Sequence, residues 1–217
     1  MPIEIGILKL IHILCLVYWL GADLGVFYSS YYLVNEKLSR DTRINVSKIL
    51  FFLDQAPRIS MILIFPSGIH LAKSLGYLNI SYSMVISIWL IALAWLILVC
   101  VLHIKGQAVK KLALFDYWLR IMFVLGISYV FLNIVINQPE YIWAGKKILA
   151  FTITVICGLI IRKKLSSFKP AFVSLIEGKD TAESNQILKM SIASSRPFVV
   201  LIWACLLFNT VLGLHLI

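Results

Sequence analysis

Residues 7–34 read ILKLIHILCLVYWLGADLGVFYSSYYLV. Only Lys9 and Asp23 are charged in this run. As a helix rising about 1.5 Å per residue it is roughly 42 Å long, more than the roughly 30 Å hydrocarbon core of a bilayer. That length of apolar surface decides the fold class: the stretch is a membrane-spanning helix. It also carries His12, Trp19, Gly21 and Gly25, which a plain anchor does not need.

The rest of the chain repeats the pattern. Of 217 residues, 61% are hydrophobic and 14% charged, and the mean hydropathy is +0.94. A soluble domain carries about a quarter charged residues. Further apolar runs lie at about 48–72, 82–104, 115–136, 142–162 and 197–216. Six spans in one bundle make an all-α polytopic membrane protein. Strands of a membrane barrel would be about 10 residues long with alternating polarity, and no segment reads so. In the polar segment 163–196, Phe168, Phe172, Leu175 and Ile176, then Ile187, Met190 and Ile192, fall at helical spacing with lysines between. This predicts short interfacial helices on the cytoplasmic face. The first run has no basic segment before it and no small-residue cleavage site, so it reads as a retained span rather than a signal peptide.

The net charge of +10 does not point to nucleic acid, because the basic residues sit in alternate connectors. Lys37, Arg40, Arg43 and Lys48 follow the first span; Lys105, Lys110 and Lys111 follow the third; Arg162, Lys163, Lys164, Lys169, Lys179, Lys189 and Arg196 follow the fifth. The positive-inside rule places these connectors in the cytoplasm and both termini outward. The partner this implies is a bilayer with anionic headgroups, in a cell membrane, the inner membrane if the cell is bacterial. Cys15, Cys100, Cys157 and Cys205 all lie in apolar runs without a C-x-x-C pair, so they read as small core residues. No G-x-S-x-G, H-E-x-x-H, Walker or G-x-G-x-x-G element is present, which removes hydrolase and nucleotide-binding readings.

Polar groups inside apolar sequence gather in the first two spans. Counted from the cytoplasmic ends near Val34 and Lys48, Asp23 and Arg58 both fall roughly 15–17 Å in, which predicts an intramembrane ion pair. Asp54, four residues before Arg58, can share it. The cluster can lock two helices, pass a proton, or give an anionic group such as a haem propionate its arginine partner. Pro57 and Pro66 can each interrupt the helix ladder. Gly21 and Gly25 form a G-x-x-x-G that admits a close neighbour.

His12 and His70 both fall roughly 33 Å from the inner end, and His215 near the end of the sixth span lies at similar depth. Imidazoles from facing helices hold haem iron or another transition metal. A bis-histidine haem b between His12 and His70 or His215 is one reading; copper is the other metal that suits histidine, although no Met-x-x-Met or His-rich tract accompanies it. By ideal helical phase His70 lies off the Arg58 face, which a kink at Pro66 could correct. His103, beside Lys105 at the inner end of the third span, stands apart. Trp89, Trp95, Trp118 and Trp203 read as packing or interfacial residues.

The opening Leu8-Lys-Leu-Ile-His12, followed by Tyr18-Trp19-Leu-Gly21, resembles CopD-like membrane proteins and HemJ-type protoporphyrinogen oxidases, which begin with a helix bearing an early histidine, then a tryptophan and glycines. The likeness covers about residues 8–76. It implies a haem-binding or copper-associated bundle, with His12 as axial ligand and Trp19 and Gly21 packed around it. HemJ-type proteins are shorter than six spans, and Asp23 and the Asp54-x-x-Pro57-Arg58 pattern have no counterpart there, so the oxidase reaction is not carried over. The expectation is a haem-b protein in electron transfer or porphyrin or quinone redox chemistry, with a quinone or a redox protein as partner. The alternatives are a copper-ion transport protein and a structural subunit of a larger homo- or hetero-oligomeric complex. No catalytic residue is assigned.

Overall fold

A computed structural model describes residues 2–138 and 141–214. Its helices are α1 (Ile3–Leu33), α2 (Arg40–Leu53), α3 (Gln55–Ser74), α4 (Tyr82–Lys105), α5 (Lys110–Asn137), α6 (Ile142–Lys164), α7 (Phe168–Ile176) and α8 (Ala182–Gly213), with a 3-10 turn at Gly106–Val109. No strand occurs among the described residues. Six helical stretches are long and apolar enough to cross a membrane, with α2 and α3 counting together as one. The protein is an all-α, multi-pass membrane protein.

Three boundaries differ from the sequence reading. The first is the connector expected over 35–47: it is helical from Arg40, and the second span is divided at Asp54. Pro57 explains the division. Its ring collides with the carbonyl four residues back, on Leu53, and it lacks an N–H, so it is tolerated only in the first turn of a new helix. Pro66, by contrast, sits inside α3 without ending it. The second difference is at 182–196. The interfacial helix expected there is the first four turns of α8, which runs unbroken for 32 residues. A capping box starts it: the Thr181 hydroxyl accepts from the Ser184 N–H at 3.2 Å, and the Ser184 hydroxyl accepts from the Thr181 N–H at 2.8 Å. Third, α7 does form as a short amphipathic helix, but its apolar side is buried in protein. Phe168, Phe172 and Leu175 of α7 and Leu188 and Ile192 of α8 are all buried, because the two helices pack on each other.

The helices group into two compact units. One comprises Met1–Val26 and Leu50–Asp116, the other Phe27–Ile49 and Tyr117–Ile217. In the first, α3 packs on α4, and Trp19, Met61, Ile62, Val85 and Trp95 are buried.

In the second, α6 packs on α8 around Phe151, Val155, Cys157 and Leu206. One end of it is held by arginines bound to helix ends. Arg43, 3% exposed, donates from Nε to the Leu33 carbonyl at 2.8 Å and from Nη2 to Asn185 Oδ1 at 2.8 Å. Arg40 donates to the Leu175 and Ile176 carbonyls. These are last-turn acceptors that α1 and α7 leave without intrahelical partners. Gly178, at φ +70°, lets the chain turn beneath the Arg40 guanidinium, where a Cβ would stand 3.0 Å from Nη1. Arg196 lies 3.5 Å over the Tyr31 ring and donates to Ser30 Oγ at 3.3 Å.

Candidate functional site

The first unit contains most of the residues that the sequence singled out. Two close approaches set the register of α1 against the span formed by α2 and α3. A Cβ on Gly25 would stand 2.9 Å from Cδ1 of Leu53, the last residue of α2, and one on Gly68 of α3 would stand 3.1 Å from His12 Cε1. α1 therefore runs antiparallel to that span, with Gly25 beside Leu53 and His12 beside Gly68. Gly21, the other half of the G-x-x-x-G, faces open space, so Gly25 alone admits the neighbour. Along this register Trp19, 4% exposed, is level with the Ser60–Met61 turn.

His12 is held at the upper contact. Its Nδ1 lies 3.0 Å from Ser67 Oγ, and Ser67 is fully buried. Ser67 Oγ also donates to the Ile64 carbonyl at 3.0 Å. A serine has one hydroxyl proton. When that proton goes to the Ile64 carbonyl, Ser67 accepts from His12, and the neutral imidazole then carries its proton on Nδ1 and its lone pair on Nε2. A hydrogen bond at one ring nitrogen that fixes the tautomer and the ring plane is what metal-ligating histidines have. Gly68 is required here for space, since any side chain would press on the ring.

His70 is placed differently. Its Nε2 is 3.5 Å from Glu4 Oε1. It follows Gly68 by two residues, about 200° around the helix, so continuation of α3 through Pro66 leaves it off the His12 contact. The structure brings His12 to Ser67 and His70 to Glu4 rather than the two histidines to each other. His215 lies outside the described residues. His103 is exposed in the last turn of α4. Among the described residues no three histidine, cysteine, aspartate or glutamate side chains gather as a metal site.

The lower level is built around Arg58. Its ion pair is with Asp54, one turn back on the same side of the chain, at 2.9 Å from Nε and 2.5 Å from Nη2 to Oδ2. Asp54 occupies the N-cap position of α3, yet its side chain makes no capping bond; the carboxylate goes to the guanidinium instead. The last turn of α2 just below is apolar and outward-facing at Ile49, Phe51 and Phe52, so the pair lies within the apolar band. There each charge needs its partner. Asp23 is level with Gln55 in the α1–α3 register, within a turn of Arg58.

Asp116 was the residue that sequence reasoning left without a role. It is 1% exposed, accepts a hydrogen bond from Trp95 Nε1 at 2.9 Å and acts electrostatically on Arg58. The available signal was an acid a few residues inside an apolar run, with an indole donor in the preceding span.

Compared with family models, with curated proteins and with solved structures, the chain matches none. The fold and site define a multi-pass helical membrane protein with a two-level polar interior in its first unit.

Proposed function

We propose that the α1–α3 hairpin holds a b-type haem through His12, and that the protein serves electron transfer or porphyrin or quinone redox chemistry in a cell membrane, the inner membrane if the cell is bacterial. The observation that carries the reading is the Ser67 hydroxyl. It directs the His12 lone pair to Nε2, the nitrogen that would bind iron. The likeness of the opening helix to CopD-like and HemJ-type proteins supports it.

The residues fit ligation by one histidine. They do not fit a bis-histidine arrangement with His70, which is turned toward Glu4. A haem so held would supply one-electron chemistry. The chain's own contribution is to fix the imidazole: Ser67 sets its tautomer, Gly68 leaves room for its edge, and Trp19 closes the hairpin below. Arg58 lies about 15 Å further along α3 and neutralises Asp54, so it serves the break in the span rather than a propionate.

The test is an optical spectrum of protein produced with ample haem. A Soret band that sharpens on reduction and is abolished by His12→Ala is expected, with His103→Ala unchanged. A colourless preparation, or a band that survives His12→Ala, ends the proposal. Copper uptake into proteoliposomes by a colourless protein would favour transport; a fixed co-purifying partner would favour a structural subunit.

A further inference from the structure

The second unit contains a hollow that none of the polar sites uses. α6 and α8 run antiparallel, with Lys147 Nζ 3.1 Å from where a Cβ on Gly213 would stand. Just inward of that contact their surfaces do not meet. The floor is made of small side chains, Ala150 on α6 and Ala204 and Cys205 on α8. The rims are Leu149, Ile153 and Phe208. Small floor residues between larger rims leave a cavity of about 420 Å³, within the size range of ligand sites. Leu149 and Phe208 are 40% and 39% exposed, so the hollow opens sideways, toward the lipid of a bilayer.

Lys146 completes the lining with its methylene stem and is exposed, so its ammonium is free to reach out of the apolar slot. Beside it Lys147 points its ammonium toward the Trp143 ring at 5.9 Å. Neither lysine has an acidic partner among the described residues. From Lys146 to Ile153 the groove follows α6 for about 10 Å. The distribution of lysine and arginine puts the Lys146 end at the outer face. A charged head at the interface with an apolar slot running inward from it is the shape of a phospholipid lying along a helix pair. Among the described residues the lining contains no carboxylate to meet a choline or ethanolamine ammonium.

We propose that this groove holds one acyl chain of an anionic phospholipid, with the phosphate at Lys146. The apolar floor takes up the chain by contact, and the lysine selects the head. The site is independent of the His12 reading.

The full chain in detergent, stripped of lipid and then titrated with dioleoyl phosphatidylglycerol or dioleoyl phosphatidylcholine in mixed micelles, gives the test by native mass spectrometry and thermal shift. Phosphatidylglycerol should be retained about fivefold more strongly, the worth of one interfacial lysine. Lys146→Gln, an exposed change that does not touch the core, should bring the two lipids to parity. Ala204→Phe, which fills the floor, should weaken both. Equal retention by the unaltered protein overturns the proposal, as does a preference that survives Lys146→Gln. A ubiquinone that displaces phosphatidylglycerol regardless of Lys146 also overturns it.

Discussion

Arg43 in the second unit and His12 in the first are both polar groups carried into an apolar protein, and they are used in opposite ways. Arg43 ends its donors on a helix-end carbonyl and on Asn185, which is in turn bonded to Asp180. Its function is satisfied by closing the end of α1 against α8. His12 Nδ1 is bonded to Ser67 Oγ, and that bond helps to fix the plane of the ring and the direction of Nε2. A guanidinium with several donors ties backbone ends together, whereas an imidazole held at one nitrogen is oriented for chemistry at the other. The difference separates structural polarity from candidate functional polarity without any appeal to a bound group.

The largest effect should come from the structural side. Arg43→Ala leaves the Leu33 carbonyl and Asn185 without their charged donor, and a hydrogen bond to a charged group is worth about 1.5–3 kcal/mol. A loss of about 3 kcal/mol in unfolding from detergent is expected, with the His12-dependent spectrum of the remaining folded protein unchanged. A spectrum that disappears while the fold persists would break the comparison.

On the functional side, Ser67→Ala should keep the fold and weaken haem or metal binding about 10- to 100-fold, the usual effect of losing a ligand's hydrogen-bond partner. Unchanged affinity would show that the tautomer is not set by Ser67. Gly68→Ala places a Cβ 3.1 Å from the imidazole edge. It should lower the same affinity by about tenfold while costing about 1 kcal/mol in stability, because the ring must tilt. The smallest change is expected at the lower level. Asp54→Asn keeps an amide oxygen that the guanidinium can bond, so it should cost about 1 kcal/mol, and the double change with Arg58→Gln should restore part of it. A loss above about 3 kcal/mol would place the pair in fully dry surroundings and make it a second functional candidate.

The six spans were legible because hydropathy is a local property. Twenty apolar residues span a bilayer whatever surrounds them. The division at Asp54 was half legible: Pro57 and Pro66 are alike in sequence, but Pro57 opens α3 while Pro66 is accommodated inside it. The chain at 182–196 misled for a related reason. An amphipathic face can lie on lipid or on another helix, and Leu188 and Ile192 chose α7. At the candidate site, His12, the level of Arg58 and its i−4 neighbour Asp54 could be read by counting residues, but the Ser67 partner of His12 could not. Ser67 is one of many serines in apolar sequence. Asp116 is an acid near the start of an apolar run, and nothing in the sequence marks it as 1% exposed.

By itself the sequence determined an all-α membrane protein of six spans and the two helices in which polar groups concentrate, because length and hydropathy act along the chain. The tertiary structure decided that His12 meets Ser67 while His70 turns to Glu4, that Arg58 neutralises Asp54, and that Arg40 and Arg43 close helix ends. The two histidine contacts depend on the register of α1 at Gly25 and Gly68, where a shift of one residue turns a side chain about 100° and changes its partner; the Arg58–Asp54 pair spans one turn of chain, and the Arg40 and Arg43 bonds depend on the packing of the second unit.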